Sequence, residues 1–415
     1  MKRIQLYLPI LATAVLIILL PVSCKECPTE PDYDIYLSVE DVACVWVTLK
    51  VNLPDSGRIN TFALERNDST VATYTCLDDD TLIFDEGLTP DTDYSYTVCF
   101  LKDGKTKAES DPVSVHTLPA TSHDFTWEIE TLGNWGSDLN DVWIVDENNI
   151  WVVGTIKTDS DEYNAARWDG NEWELMQIVN PDPIFSIFYF SDDDIWYVLY
   201  GYPVHWDGND WTLYRFHSMG IDAHALSLWG TSSSNIYFVG DQGSIVHYDG
   251  STFRKIGSGT EMNISDVYGF DDGTIFIQAS SLSELTSNLI QVSGQDVRSV
   301  YSDDTYRNDI WGASPNSLWS VGEGIFQYNS QNQQMEEYAW PMGTPKWMLE
   351  VIDGNAVNNV FTGGHNSLVM HYDGQSWKHY SELLGYGIVT GIDVYQNMVA
   401  IVSVDGSNTY IIRGK

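Results

Sequence analysis

The sequence predicts an all-β protein in which most of the chain forms a ring of similar small sheets. From about residue 140 onward, one sequence pattern recurs seven times: an aromatic residue, a second aromatic residue eight positions later, and then a turn. The first copy contains Trp143, Trp151 and the turn Trp168-Asp169-Gly170. Recurrence every 39 to 45 residues is the length of four short strands with their turns. We therefore predict a seven-bladed β-propeller over residues 124–415, preceded by a smaller β-sandwich.

One residue marks the first strand of each predicted blade. These residues are Trp143, Phe188, Trp229, Tyr268, Trp311, Ile352 and Tyr395. Four blades also contain an aromatic-Asp-Gly step, for which we predict type I′ hairpin turns, because Asp-Gly tolerates a positive φ at both central positions. The last repeat ends after three strands, whereas residues 125–131 have a fourth-strand pattern ahead of the first blade. We expect this early strand to complete the seventh blade, which closes the ring without an open seam.

The N-terminus has the pattern of a targeting segment. Lys2 and Arg3 precede an uncharged apolar run that ends at Ser23-Cys24. This pattern resembles a bacterial lipoprotein signal over residues 1–23, although Pro21 stands where the signal usually has Leu. The resemblance implies that Cys24 carries a lipid anchor to the outer membrane, on its periplasmic or cell-surface side, with residues 24–31 as a tether. Ordinary secretion or an uncleaved N-terminal anchor are the alternatives.

Residues 32–118 show the alternation of short half-buried strands, most clearly at Val45, Val47, Leu49 and Val51. The run from Gly87 to Tyr94 resembles the corner of a fibronectin type III domain, in which the tyrosine hydroxyl bonds to upstream backbone. The family usually has a tryptophan where this chain has Val51. Such modules usually act as spacers. We predict that residues 119–123 form a linker to the repeats.

Four further cysteines lie before residue 100, and export would permit disulfides among them. They are Cys27, Cys44, Cys76 and Cys99. The spacing leaves all three full pairings open and contains no zinc signature.

The charge balance restricts the partners. Acidic residues outnumber basic ones 59 to 20, for a net charge of −39. Such a chain repels nucleic acid and anionic membrane surfaces and attracts cations. The repeat half resembles secreted bacterial propellers of kelch-like or WD-like type, a likeness that is specific for the fold and not for the function.

A ring of oxygen-bearing side chains is the leading candidate site. Its members lie two residues before each anchor: Asp141, Ser186, Ser227, Asp266, Asp309, Glu350 and Asp393. Because first strands line the channel of a propeller, the five carboxylates could converge at one channel mouth and bind Ca²⁺. The alternative is that each carboxylate caps the amides of its own loop.

Several aromatic and histidine side chains in the loops between blades are candidates for ligand binding. They are Trp135, Trp340, Trp347, His217 and His224. Exposed tryptophans could stack on sugar rings or anchor a protein, whereas loop packing is the alternative. His205, His247 and His371 each precede an aromatic-Asp-Gly step, so we predict structural roles for them.

The sequence therefore favours a cell-envelope protein whose propeller binds a glycan, peptide or protein partner, with Ca²⁺ as a candidate cofactor. It contains no Gly-x-Ser-x-Gly elbow, phosphate loop or His-Glu-x-x-His motif. The alternatives are a polysaccharide hydrolase or lyase that uses Asp266 and Asp309 as acid and base, or a structural scaffold in an envelope assembly.

Overall fold

A computed structural model describes residues 35–52, 61–75, 81–102, 104–294, 296–330 and 332–415. The predicted signal peptide and tether, Cys24, Cys27 and Cys76 lie outside these residues. The described chain divides into two compact units, 35–121 and 122–415. Within the described ranges, no helix has the length and apolar character that a membrane crossing requires.

The N-terminal unit consists of two antiparallel sheets. The first sheet contains β1 (Tyr36–Val42), β2 (Trp46–Asn52) and β5 (Thr81–Glu86) in the order β1-β2-β5. The second has the order β4-β3-β6-β7, with β8 also paired to β6; its strands are β3 (Thr61–Arg66), β4 (Ser69–Thr75), β6 (Asp93–Lys102), β7 (Lys105–Glu109) and β8 (Val113–His116).

Alternating residues of these strands form the core of this unit. Val47, Leu49 and Val51 of β2 are fully buried, as their period of two predicts. The Tyr94 hydroxyl accepts a hydrogen bond from the Thr89 N–H at 2.9 Å, which confirms the predicted corner contact. Cys44 is buried too and is not joined to the other described cysteine, Cys99.

The second unit contains seven four-stranded antiparallel sheets, named I to VII here. Sheet I contains β10 (Asp138–Asp146), β11 (Asn149–Lys157), β12 (Glu162–Trp168) and β13 (Trp173–Met176). Sheet II contains β14 (Ile184–Ser191), β15 (Asp194–Leu199), β16 (Tyr202–Trp206) and β17 (Trp211–Leu213). Sheet III contains β18 (Ala225–Ser232), β19 (Asn235–Gly240), β20 (Ser244–Tyr248) and β21 (Phe253–Gly257). Sheet IV contains β22 (Asn263–Gly269), β23 (Thr274–Ser281), β24 (Thr286–Ser293) and β25 (Asp296–Asp303).

The remaining three sheets follow the same plan. Sheet V contains β26 (Arg307–Ser314), β27 (Ser317–Gly322), β28 (Ile325–Asn329) and β29 (Gln334–Glu337). Sheet VI contains β30 (Leu349–Ala356), β31 (Asn359–Gly364), β32 (Val369–Tyr372) and β33 (Trp377–His379). Sheet VII contains β34 (Ile388–Tyr395), β35 (Met398–Val404), β36 (Thr409–Gly414) and β9 (Trp127–Thr131). Short 3₁₀ helices lie in the loops at Phe216–Met219, Asp241–Gly243, His365–Ser367 and Ser381–Leu383.

The sheets form a closed ring around their first strands. The first strand of each sheet contacts the first strand of the next, and β34 of sheet VII contacts β10 of sheet I. The core lies between successive sheets, where aromatic rings pack across each junction, as Trp143 of sheet I does on Phe188 of sheet II with centroids 5.0 Å apart. This radial arrangement is a β-propeller.

The eight-residue aromatic spacing of the sequence follows from the first hairpin of each sheet. Trp143 pairs directly with Trp151 across the β10–β11 hairpin, and Trp311 pairs in the same way with Trp319. Cross-strand partners of this kind stabilise a hairpin through side-chain contact. The repeated sequence pattern therefore corresponds to a cross-strand pair in the first hairpin of the sheets.

The early strand closes the ring, as the sequence predicts. β9 pairs antiparallel with β36, with Trp127 opposite Gly414 and Thr131 opposite Tyr410. A Cβ atom at Gly414 would lie 2.5 Å from the Trp127 ring, so only glycine fits beneath this side chain. The seam therefore joins segments from the two ends of the second unit.

A histidine pair fastens the residues that precede β9 to sheet VI. His123 Nδ1 lies 2.8 Å from His371 Nδ1, and His371 Nε2 lies 2.9 Å from Asn359 Oδ1. The backbone carbonyl of His123 accepts hydrogen bonds from Lys378 Nζ and the Tyr380 hydroxyl. We call His123 and His371 the histidine clasp.

The Asp-Gly turns differ from the predicted type I′ geometry. In the turn after β12, Gly170 has a positive φ of 95°, but Asp169 is not among the residues with positive φ. Instead, the Asp169 carboxylate accepts hydrogen bonds from the Asn171 and Glu172 N–H groups, each at 2.8 Å. The side chain caps a four-residue loop, and these bonds lower the pKa of Asp169.

Candidate functional site

The first strand of every sheet contains an irregularity that sets the position of the oxygen-bearing ring. In each sheet the pairing register with the second strand shifts near the start of the first hairpin. The first paired residue after that shift is equivalent in all seven sheets. These ring positions are Asp141, Ser186, Ser227, Asp266, Asp309, Val351 and Gly391.

The register corrects the predicted ring in sheets VI and VII. The residue that pairs with the second-strand aromatic Phe361 is Asp353, one position after the predicted anchor Ile352. In sheet VII, Asp393 takes the anchor position and pairs with Ala400, two positions before the predicted anchor Tyr395. The register therefore does not place Glu350 and Asp393 at the equivalent position, and three of the seven equivalent residues are carboxylates instead of five.

Glu350 instead lies at the register shift itself, beside two polar side chains. Its carboxylate is 3.0 Å from His365 Nε2 and accepts a bond from Asn308 Nδ2 at 3.1 Å. Burial raises the pKa of Glu350, and the nearby His365 opposes that rise.

The ring carboxylates connect each sheet to the next. Asp141 accepts hydrogen bonds from the N–H of Val142 in its own strand at 2.7 Å and of Ile187 in sheet II at 2.8 Å. Asp309 does the same with Ile310 at 3.0 Å and with Ile352 of sheet VI at 2.7 Å. Each carboxylate thus satisfies a buried main-chain amide of the following sheet, which would otherwise be costly to bury.

The third ring carboxylate and the adjacent hydroxyl extend this pattern through sheets III to V. Asp266 accepts a bond from the Ile310 N–H at 3.4 Å and another from the Ser227 hydroxyl of sheet III at 3.1 Å. Asp266 therefore joins sheet IV to both of its neighbours.

The two anchor aspartates make equivalent links in the sheets whose ring positions are apolar or glycine. Asp353 accepts a hydrogen bond from the Val394 N–H of sheet VII at 3.1 Å. Asp393 accepts a bond from the Ile144 N–H of sheet I. We call these five inter-sheet contacts, from Asp141, Asp266, Asp309, Asp353 and Asp393, the carboxylate clamps.

The clamps differ in detail from both sequence hypotheses. The carboxylates bind backbone amides, as the capping alternative holds, but those amides include the next sheet as well as the residue's own strand. Asp141 is fully buried, and this desolvation raises its pKa well above the usual value. Asp266 and Asp309, proposed as an acid–base pair, have the same structural contacts.

A central cavity of about 110 Å³ lies inside the ring. Six of the seven ring positions line it: Asp141, Ser227, Asp266, Asp309, Val351 and Gly391. Glu350, Asn308 and Thr390 also line it, from the ends of first strands that meet the preceding loop. The described residues contain no group of three or more His, Cys, Asp or Glu side chains placed to hold a metal ion. The carboxylates thus surround a small cavity, and Ca²⁺ binding by them stays a prediction.

The histidines of the repeats have the structural roles predicted for them. His205 stacks on Trp196 with centroids 4.2 Å apart, and His371 stacks on Phe361 at 4.3 Å. Each directs Nε2 to a neighbouring side-chain oxygen, of Asp194 and Asn359 respectively, at 2.9 Å. His247 makes the same two contacts, with Tyr237 and Asn235.

His217 and His224 lie together in the loop between sheets II and III. His217 is exposed, with Nδ1 3.2 Å from the Tyr202 hydroxyl. His224 Nδ1 lies 3.0 Å from Asp241 Oδ2, and its ring faces Tyr200. The structure places these side chains on the surface but brings neither of them to the central cavity.

The three candidate tryptophans divide into exposed and packed side chains. Trp135 is 78% exposed in the loop before sheet I, and Trp347 is 37% exposed in the loop before sheet VI. Trp340, in the same loop as Trp347, is partly buried and packs against the main core. Loop packing therefore accounts for Trp340 but not for Trp135.

One face of the ring carries the exposed apolar side chains. We call the loop from a fourth strand to the next first strand a handover loop; because neighbouring strands are antiparallel, loops between second and third strands lie at the same end. All nine large apolar side chains that are exposed in the described part of this unit lie at that end. They are Trp135, Val179, Tyr200, Met219, Leu282, Leu285, Met342, Trp347 and Ile388. We call this end the handover face.

Exposed carboxylates lie on both faces of the ring. The opposite ends of the sheets, at the Asp-Gly turns and first hairpins, carry acidic groups such as Asp169, Asp207 and Asp249 and none of the exposed large apolar side chains. The handover face combines its apolar residues with exposed carboxylates, including Asp159 and Glu284.

Comparison with known proteins agrees with this architecture. No family model matches the sequence, and no curated protein is significantly similar to it. Among solved structures, YCF48 bound to D1 peptide matches with a TM-score of 0.55 and 15% identity, over 71% of this chain and 98% of that one. The fold is that of a β-propeller. YCF48 from Cyanidioschyzon merolae matches with 0.53 and 14%, over 69% and 98%, and the RRP9 WD40 repeats with 0.55 and 8%, over 70% and 100%.

Proposed function

We propose that this chain is a cell-envelope binding protein whose handover face holds an apolar, positively charged segment of a protein partner. The observation that carries the proposal is the placement of all nine exposed large apolar side chains of the described propeller on one face. Apolar side chains gathered on one side of a protein are typical of an interaction site, and the exposed carboxylates on the same face, including Asp159 and Glu284, favour a positively charged segment. The bound peptide of the YCF48 structure supports a peptide as the partner, because that protein has the same fold.

The full assembly that we propose has a lipid anchor, a spacer and a binding head. The lipid at Cys24 would tether the chain to the outer membrane, and a fibronectin type III-like module would hold a seven-bladed propeller away from the surface. The sheet orders of residues 35–121 and the Tyr94 corner bond support the module. The seven sheets and their closed ring of first strands support the blade count.

Selection from a phage-displayed library of random peptides tests the binding function. We expect enrichment of peptides that combine arginine or lysine with aromatic or aliphatic residues. The triple variant Trp135→Ser, Met342→Ser, Trp347→Ser should bind the selected peptides at least about tenfold more weakly, because exposed anchors supply most of the energy of such contacts. Its circular dichroism should match that of the wild type.

The matched control removes exposed apolar side chains from the N-terminal unit. Tyr36→Ser with Val71→Ser changes surface hydrophobicity in the same way but leaves the handover face intact. Equal binding by the triple variant and the wild type would refute the proposal. Binding confined to a glycan array, with no peptide enriched, would refute the choice of partner.

Metabolic labelling with radioactive palmitate tests the anchor. Label should enter the wild-type protein and not Cys24→Ala, since the sulfur is the point of attachment. Equal labelling of the two proteins, or label in neither, would contradict lipidation at this residue.

A further inference from the structure

A cleft separate from the central cavity lies where the ring closes, between sheets VII and I. The first hairpins of these two sheets form its walls, with Tyr395 to Met398 on one side and Asp146 and Glu147 on the other, and Lys415 joins them from the end of β36. First hairpins lie at the end of the sheets opposite to the handover face. The cleft has a volume of about 420 Å³, which is within the range of about 300–1,000 Å³ that small-molecule sites occupy.

The hairpin of sheet VII is held in place by the sheet on its other side. Asn355 Nδ2 and Asn359 Nδ2 of sheet VI both donate hydrogen bonds to the carbonyl oxygen of Gln396, at 2.7 and 2.9 Å. Gln396 has a φ of 51°, a conformation that residues other than glycine seldom adopt. The two bonds fix this turn against sheet VI, so this wall of the cleft is formed without a ligand.

The wall from sheet I is fixed within its own turn. Asp146 Oδ1 accepts a hydrogen bond from the Asn148 N–H at 2.8 Å, so this side chain caps the hairpin. Glu147 lies between these two residues and is exposed. Because both turns are fixed by contacts of their own, a ligand that binds between them need not order either wall.

The deepest part of the cleft is apolar. Met398 is 7% exposed and Tyr395 is half-buried, and both side chains pack with the core between sheets VII and I. A thioether and an aromatic ring each make favourable contacts with an aromatic group. The floor of the cleft therefore suits a ligand with an aromatic body.

Opposite charges line the cleft without neutralising each other. The side chains of Glu147 and Lys415 both line it and both are exposed. Among the residues that the structure describes, neither has an ion-pair partner. Each therefore keeps its capacity for hydrogen bonds to a charged group, which are stronger than those between neutral groups. A simple cation would leave Lys415 unused, and the carboxylates of Asp146 and Glu147 would repel a simple anion.

We propose that this cleft binds a small zwitterion with an aromatic body, and that a free aromatic amino acid is the class of ligand it takes. The ammonium group of the ligand donates to Glu147, beside which Asp146 adds a second negative charge. The ligand carboxylate accepts from Lys415 Nζ, and the ring of the ligand lies on Met398 and Tyr395. This activity is additional to the proposed function and uses the other end of the propeller.

Calorimetric titration with L-phenylalanine tests the proposal. We expect saturable binding with a Kd of about 2 mM or lower, as twelve non-hydrogen atoms of ordinary efficiency would give. Three related compounds each lack one feature: N-acetyl-L-phenylalanine lacks the ammonium group, L-phenylalaninamide lacks the carboxylate, and L-alanine lacks the ring. Each should bind at least about fivefold more weakly. No saturable heat from L-phenylalanine, or equal binding of all four compounds, overturns the proposal.

Two variants assign the charges to their partners. Glu147→Gln should weaken the binding of L-phenylalanine about fivefold but should not weaken that of N-acetyl-L-phenylalanine, which has no ammonium group to lose its partner. Lys415→Gln should weaken L-phenylalanine by a similar factor but should not weaken L-phenylalaninamide. Both side chains are exposed, so both variants should keep the wild-type urea midpoint. Wild-type affinity for L-phenylalanine in both variants would show that the ligand binds elsewhere and would overturn the site.

Matched control variants remove the same charges at a distance from the cleft. Asp271→Asn changes an exposed carboxylate at the first hairpin of sheet IV, and Lys346→Gln changes an exposed lysine in the loop before sheet VI. Both should bind L-phenylalanine like the wild type. A loss in these controls equal to that in Glu147→Gln and Lys415→Gln would reduce the effect to net charge and contradict the proposal.

The result is separable from that of the proposed function. The triple variant Trp135→Ser, Met342→Ser, Trp347→Ser changes only the handover face, so it should bind L-phenylalanine with wild-type affinity. Equal weakening of L-phenylalanine and of the selected peptides by this variant would place the amino acid on the handover face and refute the cleft. Binding of L-phenylalanine through Glu147 and Lys415 without capture of any peptide would leave the cleft in place and refute the proposed function.

Discussion

The histidine clasp should make the propeller sensitive to mild acid. Asn359 Oδ1 accepts a bond from His371 Nε2, which fixes the proton on that nitrogen, so His371 Nδ1 is the acceptor for the Nδ1–H of His123. A second proton on His371 would point at that N–H group inside a fully buried site. Burial, together with the nearby His123 and Lys378, lowers the pKa of His371 from 6.5 to about 3.

The sign and size of the effect follow from proton linkage. In the unfolded chain the histidine binds a proton below pH 6.5, whereas in the folded protein it does so only below about 3. Between these values the unfolded state binds more protons, so stability falls as the pH falls. Moving from pH 7 to pH 5 should therefore remove about 2 kcal/mol of unfolding free energy through His371 alone.

Urea denaturation at the two pH values measures this contribution. Tryptophan fluorescence reports the propeller, because fifteen of the sixteen tryptophans lie in residues 122–415. The quantity of interest is the loss of stability between pH 7 and pH 5 in the wild type minus the loss in His371→Gln, which cannot titrate. Groups that do not contact His371, including the buried Asp141, titrate in both proteins and cancel in the difference.

We expect the variant to lose about 2 kcal/mol less than the wild type on acidification, although it is less stable at pH 7 without the ring that stacks on Phe361. The control His217→Gln changes an exposed histidine and should keep the wild-type loss. Equal losses in the wild type and His371→Gln would refute the assignment of His371 as a buried neutral group.

Three further predictions concern the ring and its surface. Deletion of residues 124–132 removes β9 and should abolish cooperative thermal unfolding by circular dichroism; a truncated protein that melts like the wild type would contradict closure by this strand. Asp353→Ala leaves the buried Val394 N–H without its carboxylate acceptor, which should cost about 1–3 kcal/mol in urea denaturation, and an unchanged midpoint would exclude a stabilising clamp. Trp135→Ser should change the unfolding free energy by less than about 0.5 kcal/mol, because this side chain is mostly exposed, and a larger loss would show that it packs.

The repeat can be recognised in the sequence because its copies preserve one cross-strand pair. Aromatic residues eight positions apart, such as Trp143 and Trp151, must face each other across a short hairpin, so their spacing can be read without the structure. The closing strand can also be predicted from the sequence, since the residues of β9 have the pattern of the fourth strand that the last repeat lacks.

The candidate site is less predictable because its register depends on the irregularity near the start of each first hairpin. No residue type marks that shift, so the ring position had to be counted from the anchor. In sheets VI and VII the anchors are Asp353 and Asp393, where the aromatic signal is absent. Counting from Ile352 and Tyr395 therefore assigned Glu350 and Asp393 to positions that the register does not make equivalent.

Trp135 and Trp347 were candidates from the sequence, but the other seven exposed apolar residues of the handover face were missed for a different reason. Loops have no periodicity, and exposure there depends on which neighbouring sheet the chain meets. Trp340 and Trp347 lie in one loop, yet Trp340 packs on the core and Trp347 remains exposed. The position of the loops between second and third strands was available from the repeat and would have pointed to Tyr200, Leu282 and Leu285.

The carboxylate clamps and Ser186 show that one ring position contributes differently to the contacts between sheets. Where the position is aspartate, the side chain joins its own sheet to the next, as Asp141 and Asp309 do. At sheet II the position is Ser186, whose hydroxyl makes no such link to sheet III within the described residues. An aspartate there could join sheet II to sheet III as the clamps join other sheets, so the shorter serine omits a contact between these two sheets.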